Sequence, residues 1–552
     1  MHLIARMDRD VLHGGSFWSH SPIFQTEIPF FWRRRRQLSI GDLPAEIVTA
    51  ICRNLCVHCQ HPHVVDLPPD EIDRAIEAQQ ALSRLSRTCR RFRNAAQPTL
   101  YHCYHSGKQS DSSISPEWWS DTEARKREVE TLEAFLRTLL ERPDLAKHVR
   151  ALAFFALREV TARQISKETQ TLFRQAGERA GFRALPSYEH VDSKWLQEAS
   201  IMAAPFVEQL LIYRSSQEGL QYIRDSPFYL PNLKYLVLPG QGKNPDECCH
   251  IQQMQDVLAK AQNLEVLAAS DADCGTDIPL RERFRSEPWD TALASLRRLS
   301  LHGLDPDNLA KILRRSPVLE DLEYFCDMDK YTVLQHHHLT SVSRSLRRLC
   351  YTSTTWEHTS GGAQDIIEQV SMFLRWDSSL RGDASFIDFP RLEILEIEQL
   401  LLYGPVFDDE EERKYRFASM KESGPEIFMA SLPSSLRILH IGMVLAWPEM
   451  HRDLLGMAEK IYRFQNLGVV AVDPYEAPPQ EQIKELEDAF ASKGVLFRVG
   501  QTTQVPFGRE VLDGSEKETK KPSGTLRSVQ FPILTNDEAI VFLVQKFDVF
   551  SS

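Results

Sequence analysis

A six-residue pattern of apolar and polar positions recurs through the C-terminal two thirds of the chain. Positions 1, 4 and 6 are apolar, position 4 is usually leucine, and positions 2, 3 and 5 vary. Because leucine and the apolar residue two places later fall on one side of an extended chain, each copy predicts a short strand. The ten copies begin at Val149, Val207, Leu233, Leu264, Leu296, Leu319, Leu346, Leu392, Leu436 and Leu467.

The spacing of the copies indicates a repeat architecture. From Val207 to Leu346 the intervals are 26, 31, 32, 23 and 27 residues, with helical patterns between the predicted strands. Intervals of this size are close to those of leucine-rich repeats, in which stacked strand–helix units complete one another's core. We therefore expect an α/β fold, an irregular leucine-rich-repeat-like strand–helix solenoid over residues 148–500. Longer intervals mark insertions at 353–388 and 401–432. The competing interpretation is an ordinary α/β domain with several leucine-rich strands.

The N-terminal part of the chain has helical rather than strand periodicity. Asp42 is a candidate N-cap and Pro44 falls in the first helical turn, where its missing N–H costs nothing. Apolar residues then recur every four positions, and further apolar residues and thiols widen that face. The row is Leu43, Ile47, Ile51 and Leu55, widened by Val48, Cys52 and Cys56.

A second helical segment is expected over residues 81–104, after a polar insert. Its apolar seam steps by three and four residues, and we expect Pro98 to end the helix. Arginines fill much of the remaining surface. The seam consists of Leu82, Leu85, Cys89, Phe92 and Ala96, and the arginines are Arg84, Arg87, Arg90, Arg91 and Arg93.

These two segments together resemble an F-box, the helical module that docks on the Skp-type adaptor of cullin-based ubiquitin ligases. The resemblance rests on the Leu43-Pro44-x-Glu46-Ile47 opening and on the run from Cys89 to Arg93. It covers about sixty of the 552 residues and departs from the compact pattern by an insert at about 57–80, as fungal F-box proteins do. The adaptor-binding residues that it implies are Leu43, Pro44, Glu46, Ile47, Ile51, Leu55, Leu82, Leu85, Cys89, Arg90 and Phe92.

Cysteine and histidine are concentrated at residues 52–63, which raises the alternative of a zinc site. Cys52, Cys56, Cys59 and His61 offer four ligands at plausible separations. In the competing interpretation Cys52 and Cys56 belong to the apolar face of the first helix, and Cys59, His58, His61 and His63 are loop residues. We favour the helix, because a second ligand pair at the interval typical of structural zinc sites does not follow. No metal and no other cofactor are therefore expected.

The domain organisation follows from these patterns. A basic, disordered segment (1–37) contains the run Arg33–Arg36, which is either a nuclear localisation signal, a phosphate-binding patch or a solvated turn. Polar composition indicates a flexible tail with one possible terminal element. The remaining expected units are an F-box at 38–105, a linker and amphipathic helix at 106–147, the solenoid at 148–500 and the tail at 501–552.

Charge and composition limit the functions that fit. A formal charge of −12 argues against a protein that coats nucleic acid or an anionic membrane. We find no apolar stretch of transmembrane length and no signal peptide, so reduced thiols in the cytoplasm or nucleus are expected. No catalytic constellation is recognisable, and His336–His338 are expected in a solvated turn because three consecutive side chains cannot share one face.

The sequence thus predicts a non-enzymatic, substrate-recognition subunit of a cullin-RING (SCF-type) ubiquitin ligase. Its F-box would bind a Skp-type adaptor and, through it, a cullin scaffold, while the solenoid would bind a target protein; no membrane is expected as a partner and nucleic acid is not favoured. Three alternatives stay open: a protein-binding scaffold without a ligase role, a zinc-dependent nucleic-acid-binding module, and an enzyme embedded in the solenoid.

Overall fold

The structure is a computed structural model of the chain. Apart from a few single positions, it describes residues 43–60, 69–106, 122–154, 163–164, 166–180, 190–191, 193–212, 229–238, 255–269, 288–326, 334–353, 386–403 and 425–500. The predictions for the segments 1–37 and 501–552, and those for His61 and His63, concern residues outside the described part.

Four helices form the N-terminal unit: α1 (Ala45–Asn54), α2 (Val57–Gln60), α3 (Pro69–Thr88) and α4 (Arg90–Leu100). We expected the insert at about 57–80 to lengthen a loop, but its described residues, 57–60 and 69–80, are helical. The start of α3 is visible in the sequence, since Pro69 stands at the first helical position and is followed by Asp70 and Glu71, where acidic groups favour the helix dipole.

The single second helix expected over residues 81–104 is in fact two helices. The chain leaves helical geometry at Cys89, which has φ −153° and ψ 168° and forms the N-cap of α4. Pro98 lies inside α4 and does not end it, because the backbone N–H of Tyr101 still reaches the carbonyl of Gln97 at 3.3 Å. At the start of α1, Pro44 is the N-cap itself.

A small hydrophobic core holds these helices together. Val48 and Cys52 of α1, together with Cys56 just before α2, are buried and pack against α3 and α4. The inward-facing partners are Leu82, Phe92 and Ala96. Cys52 is buried on the inner side of α1, which confirms its predicted place on the apolar face of the first helix. Cys56 is also buried, but α1 ends at Asn54, so the prediction that Cys56 lies on that helix is wrong.

A twelve-stranded parallel sheet occupies most of the chain, and its strands follow one another in sequence order. They are β1 (Cys103–Ser106), β2 (Ala151–Phe154), β5 (Gln209–Ile212), β6 (Tyr235–Leu238), β7 (Val266–Ala269), β8 (Arg298–His302), β9 (Asp321–Cys326), β10 (Arg348–Ser353), β11 (Ile394–Glu398), β12 (Ile438–Val444), β13 (Val469–Pro474) and β14 (Leu496–Val499). A separate antiparallel pair joins β3 (Arg163–Gln164) to β4 (His190–Val191).

Each of the ten predicted strands is present and starts at position 3 of its motif. Neighbouring strands pair with equal motif positions opposite each other; Leu349, for example, lies beside both Leu322 and Leu395. As a result the position-4 side chains form one continuous, fully buried column. Its members, each 0% exposed, are Leu152, Leu210, Leu236, Leu267, Leu299, Leu322, Leu349, Leu395, Leu439 and Val470.

The motif missed the two outermost strands, β1 and β14. In β14 the residue paired with Val470 is Phe497, and position 1 is taken by Gly494, so the leucine signature is absent. In β1 the buried Tyr104 lies beside Leu152 of the next strand. The sheet therefore begins at Cys103, inside the segment assigned from the sequence to the N-terminal helical module.

Helices cover one face of the sheet and contribute to the same core as the position-4 column. The predicted amphipathic helix after residue 106 is confirmed as α5, with Leu132, Leu136 and Leu139 buried. Among the described helices none is long and apolar enough to cross a membrane. The helices are α5 (Thr122–Glu141), α6 (Pro143–Ala146), α7 (Lys167–Ala180), α8 (Ser193–Ala203), α9 (Gln255–Leu258), α10 (Pro288–Leu293), α11 (Pro306–Arg314), α12 (His336–Leu339), α13 (Gln399–Tyr403), α14 (Trp447–Glu459) and α15 (Gln480–Ala491).

Position 2 of the motif carries charges that alternate in sign from strand to strand. The backbone carbonyl of this residue accepts two N–H groups from the next copy, so the side chains are held side by side. The series runs Arg150, Glu208, Lys234, Glu265, Arg297, Glu320, Arg347, Glu393 and Arg437. Ion pairs form at Arg150–Glu208 (3.0 Å), Lys234–Glu265 (2.9 Å), Arg297–Glu320 (3.2 Å), Arg347–Glu393 (2.7 Å) and Arg437–Glu393 (3.3 Å).

This charge ladder favours the observed register, because sliding one strand past its neighbour would separate the charged side chains that pair between those two strands. We expect Glu393→Lys to lower the free energy of unfolding by about 1 to 2 kcal/mol, since it replaces two ion pairs with contacts between like charges. Urea unfolding at low and high salt measures the effect, which should shrink in high salt. Glu487→Lys, at an exposed position of α15, is the matched control; an equal loss there would contradict a role for the ladder.

Candidate functional site

The outer side of α1 carries an apolar row that the protein's own core does not fully cover. Ile47 and Ile51 are half-buried, whereas Val48 and Cys52, one place further round the helix, are buried. Leu43 is half-buried just before the helix, and Pro44 beside it is exposed. The buried residues thus hold the helix in place while the row remains accessible to a partner.

The structure divides the eleven residues implied by the F-box resemblance into three groups. Leu82 and Phe92 are buried in the helical core, where they pack against α1 and are not accessible to a partner. Pro44, Glu46, Cys89 and Arg90 are exposed. The remaining five residues are half-buried: Leu43, Ile47, Ile51, Leu55 and Leu85.

Arginines of α4 secure this arrangement. Arg91 Nη2 donates to the backbone carbonyl of Leu43, which ties the start of the row to α4. Arg93 Nε donates to the carbonyl of Ser86 across the break at Cys89, at 3.3 Å. The unit therefore presents the apolar row on a braced framework, beside exposed positive charge on Arg84, Arg87 and Arg90.

A cluster of cysteine and histidine lies where the helical unit meets the sheet. Cys56 and Cys59 flank the first turn of α2, and the backbone N–H of Cys59 donates to the carbonyl of Cys56 at 3.0 Å. His102 Nδ1 lies 3.4 Å from the Cys59 sulfur and 3.6 Å from the Cys56 sulfur. With His58, these side chains place four ligand atoms within 4.8 Å of one another.

The set differs from the four zinc ligands considered from the sequence. Cys56 and Cys59 are common to both sets, whereas Cys52 is buried in the helical core. His61 lies outside the described part of the chain. His102 is new, and it was overlooked because 43 residues separate it from Cys59. His58, expected in a loop, lies in α2.

Proton affinities in the cluster are strongly uneven. A hydrogen bond from the Cys103 thiol, assisted by one involving His102, lowers the pKa of Cys56 to about 4 in spite of burial. Burial raises the pKa of Cys59 to about 12, and the nearby charge on Cys56 acts in the same direction. Burial also raises the pKa of Cys103 well above its ordinary value. Negative charge therefore concentrates on the Cys56 sulfur.

The sheet face opposite the helices is charged between β8 and β12. Arg348, at motif position 3 in β10, lies between two carboxylates, with Asp321 at 3.2 Å and Glu396 at 3.0 Å. Glu323 occupies motif position 5 in β9 and is 7% exposed. Burial raises the pKa of its carboxyl to about 7, although the charge of Arg348 acts in the opposite direction. This charged face is the acidic part of the surface lined by the strands.

The three consecutive histidines form a short helix, α12, rather than the expected solvated turn. His338 is buried, with its Nε2 3.5 Å from the exposed carboxylate of Asp307, and its ring lies 3.9 Å from that of His337. The side chains of Asp307, His337 and His338 are close enough to bind one metal ion. The packing of α12 against α11 accounts for their approach without one.

Comparison with known protein families finds no family that matches this chain. Comparison with curated proteins likewise finds no match. The function is therefore argued from the residues and their geometry.

The charged face generates a pH-dependent prediction for Glu323→Gln. Below about pH 4.5 the Glu323 carboxyl is protonated in both the folded and the unfolded chain, so its burial does not lower the free energy of unfolding. As the pH rises to about 7, only the unfolded chain releases this proton, so the free energy of unfolding of the wild type falls. Above that pH the folded chain releases it too, and the loss of stability has reached its full size. We expect Glu323→Gln to stabilise the protein at pH 8, by up to about 3 kcal/mol, and to have no such benefit at pH 4.

Denaturant unfolding of both proteins across this pH range makes the measurement. Glu396→Gln is the matched control on the same face, because it removes an ion pair with Arg348. It should give no stabilisation that grows with pH. A Glu323→Gln effect independent of pH would contradict the raised pKa of this carboxyl.

Proposed function

We propose that this protein is a substrate-recognition subunit of a cullin-RING ubiquitin ligase, with an N-terminal F-box and a leucine-rich-repeat-like solenoid. The observation that carries the proposal is the half-buried apolar row of α1, which begins with the Leu-Pro-x-Glu-Ile sequence from Leu43 to Ile47. An amphipathic helix whose outer side remains partly uncovered is suited to bind an apolar groove on another protein.

The residue pattern and the placement of the row support the same partner. Leu43, Pro44 and Ile47 lie together at the start of α1, and Ile51 continues the row one turn later. Apolar residues of this kind supply most of the affinity when a partner excludes water from them. Arg90 and its neighbours are exposed, and would face acidic surface on a Skp-type adaptor, where charge sets orientation and association rate.

The strand-lined face of the sheet is the proposed surface for the target protein. Between β8 and β12 its carboxylates outnumber its cations, with Asp321 and Glu396 on either side of Arg348 and Glu323 on the neighbouring strand. A target segment with basic or amide side chains complements such a surface. The sheet follows sequence order over twelve strands, which supports a solenoid with one extended binding face.

In this role the chain makes and breaks no bonds. The adaptor would connect α1 to a cullin, and the sheet would hold a target near the ubiquitin-transfer module of the ligase. The contribution of the chain is the raised effective concentration of the target at that module.

Capture of a purified Skp-type adaptor by the full chain tests the proposal. We expect Leu43→Ala/Pro44→Ala/Ile47→Ala to weaken binding about tenfold or more, because it removes the apolar anchors from the row. Tyr462→Ala is the matched control, since it removes an aromatic side chain that is 72% exposed near the other end of the sheet. Circular dichroism checks that both variants fold.

Absence of adaptor binding by the folded wild type would overturn the proposal. Equal binding by wild type and triple variant would overturn the assignment of the row. Co-purification of a cullin with the adaptor complex separates the ligase subunit from the alternative, a scaffold that binds the adaptor alone.

A further inference from the structure

The cysteine–histidine cluster lies where the N-terminal helices meet the sheet, and it consists of Cys56, His58, Cys59 and His102. Its residues come from two chain segments, and a third segment, at the start of β2, holds one of them in place. Cys56 to Cys59 form a C-x2-C turn at α2, and His102 lies in the turn between α4 and β1, where its N–H donates to the carbonyl of Thr99 at 3.1 Å. The carbonyl of His102 accepts the N–H groups of Arg150 and Ala151, each at 2.9 Å, so this residue is fixed to the edge of β2.

The distances match those between ligands of one tetrahedral zinc ion. Zinc binds sulfur at about 2.3 Å and imidazole nitrogen at about 2.05 Å, so the two ligand atoms lie about 3.6 Å apart across a tetrahedral edge. The observed separations of His102 Nδ1 from the two sulfurs are 3.4 and 3.6 Å. All four ligand atoms fall within 4.8 Å of one another.

Hydrogen bonding alone leaves this arrangement incompletely explained. An imidazole nitrogen has either one lone pair or one hydrogen, and therefore makes one good hydrogen bond, yet His102 Nδ1 faces two sulfurs. A second, independent observation comes from His58. Its Nδ1 is buried and has no hydrogen-bond partner within the described residues. Buried polar atoms of this kind need an explanation, and an ion is one.

The surroundings are those of a metal site. The Nε2 atom of His58 lies 4.0 Å from Oε2 of Glu208, and Arg150 pairs with the other oxygen of that carboxylate at 3.0 Å. Metal-binding histidines usually direct their second nitrogen toward a carboxylate, which fixes the ring.

We propose that Cys56, His58, Cys59 and His102 bind one zinc ion in a closed tetrahedral site. Two sulfurs and two imidazoles suit zinc, which favours tetrahedral coordination by these ligands. Binding releases the protons of thiols that are still protonated, and two thiolates then neutralise the ion. The site joins α2 to the turn before β1, and so fixes the helical unit to the first strands of the sheet. This inference does not depend on the ligase function.

Metal analysis of the full chain, purified under reducing conditions, tests the site. We expect about one zinc per chain in the wild type and less than about a tenth of that in Cys59→Ser and His102→Gln, because each variant removes one of four ligands. Cys89→Ser is the matched control, since this exposed thiol lies outside the cluster. It should retain the wild-type zinc content.

Cobalt substitution of the wild type provides a readout that does not require variants to fold. Cobalt bound to two sulfurs and two imidazoles should give the intense visible absorption of tetrahedral coordination, together with sulfur-to-cobalt charge transfer. Folded wild type that takes up neither zinc nor cobalt would overturn the proposal, as would a Cys56–Cys59 disulfide in place of the metal. Undiminished zinc in both ligand variants would also overturn it. Adaptor capture is scored separately, so that failure of one proposal is distinguishable from failure of the other.

Discussion

The column of position-4 side chains is the contact on which the rest of the structure depends. Each leucine lies beside the equivalent residue of the preceding and following strands, and every member is fully buried. Complete burial of one such side chain contributes roughly 1.5 to 3 kcal/mol, and the equal register means that each copy completes the burial of its neighbours. The alternating charges at position 2 favour the same register at the solvent-accessible margin of the sheet. Both features come from one short motif, which accounts for ten of the twelve strands, and β1 and β14 continue the sheet by one strand at either end.

Much of this sheet could be predicted from the sequence, because the six-residue motif indicates where each strand begins, how it aligns with its neighbours and which of its side chains are buried. All ten predicted strands are present, and the charge ladder is also visible in the sequence when position 2 is compared between copies. The outermost strands could not be predicted in this way. At the ends of a sheet only one neighbour constrains each residue, and there Tyr104 and Phe497 take the place of leucine. The loop-like interpretation of the insert failed for a different reason, since the helix start at Pro69 was overlooked.

In the candidate sites, too, local sequence patterns could be predicted, whereas features that depend on tertiary packing could not. The apolar row of α1 follows from periodicity, because residues four apart share a helix face. The division between Ile47, which is half-buried, and Val48, which is buried, depends on the packing of α3 and α4 against one side of the helix. The cysteine–histidine cluster depends on tertiary structure to a greater extent. Its histidine at position 102 comes after two further helices, and only the attachment of that turn to β2 brings it to the C-x2-C turn.

Together these features describe a helical unit with an accessible apolar row, joined to a long parallel sheet with a charged face. The measurement that tests this account most directly is amide hydrogen exchange of the full chain, alone and with a Skp-type adaptor. The account predicts slower exchange in α1 on addition of the adaptor, and unchanged exchange in the strands from β5 to β13, which lie outside the proposed adaptor-binding row. Unchanged exchange in α1, or protection confined to the sheet, would contradict it.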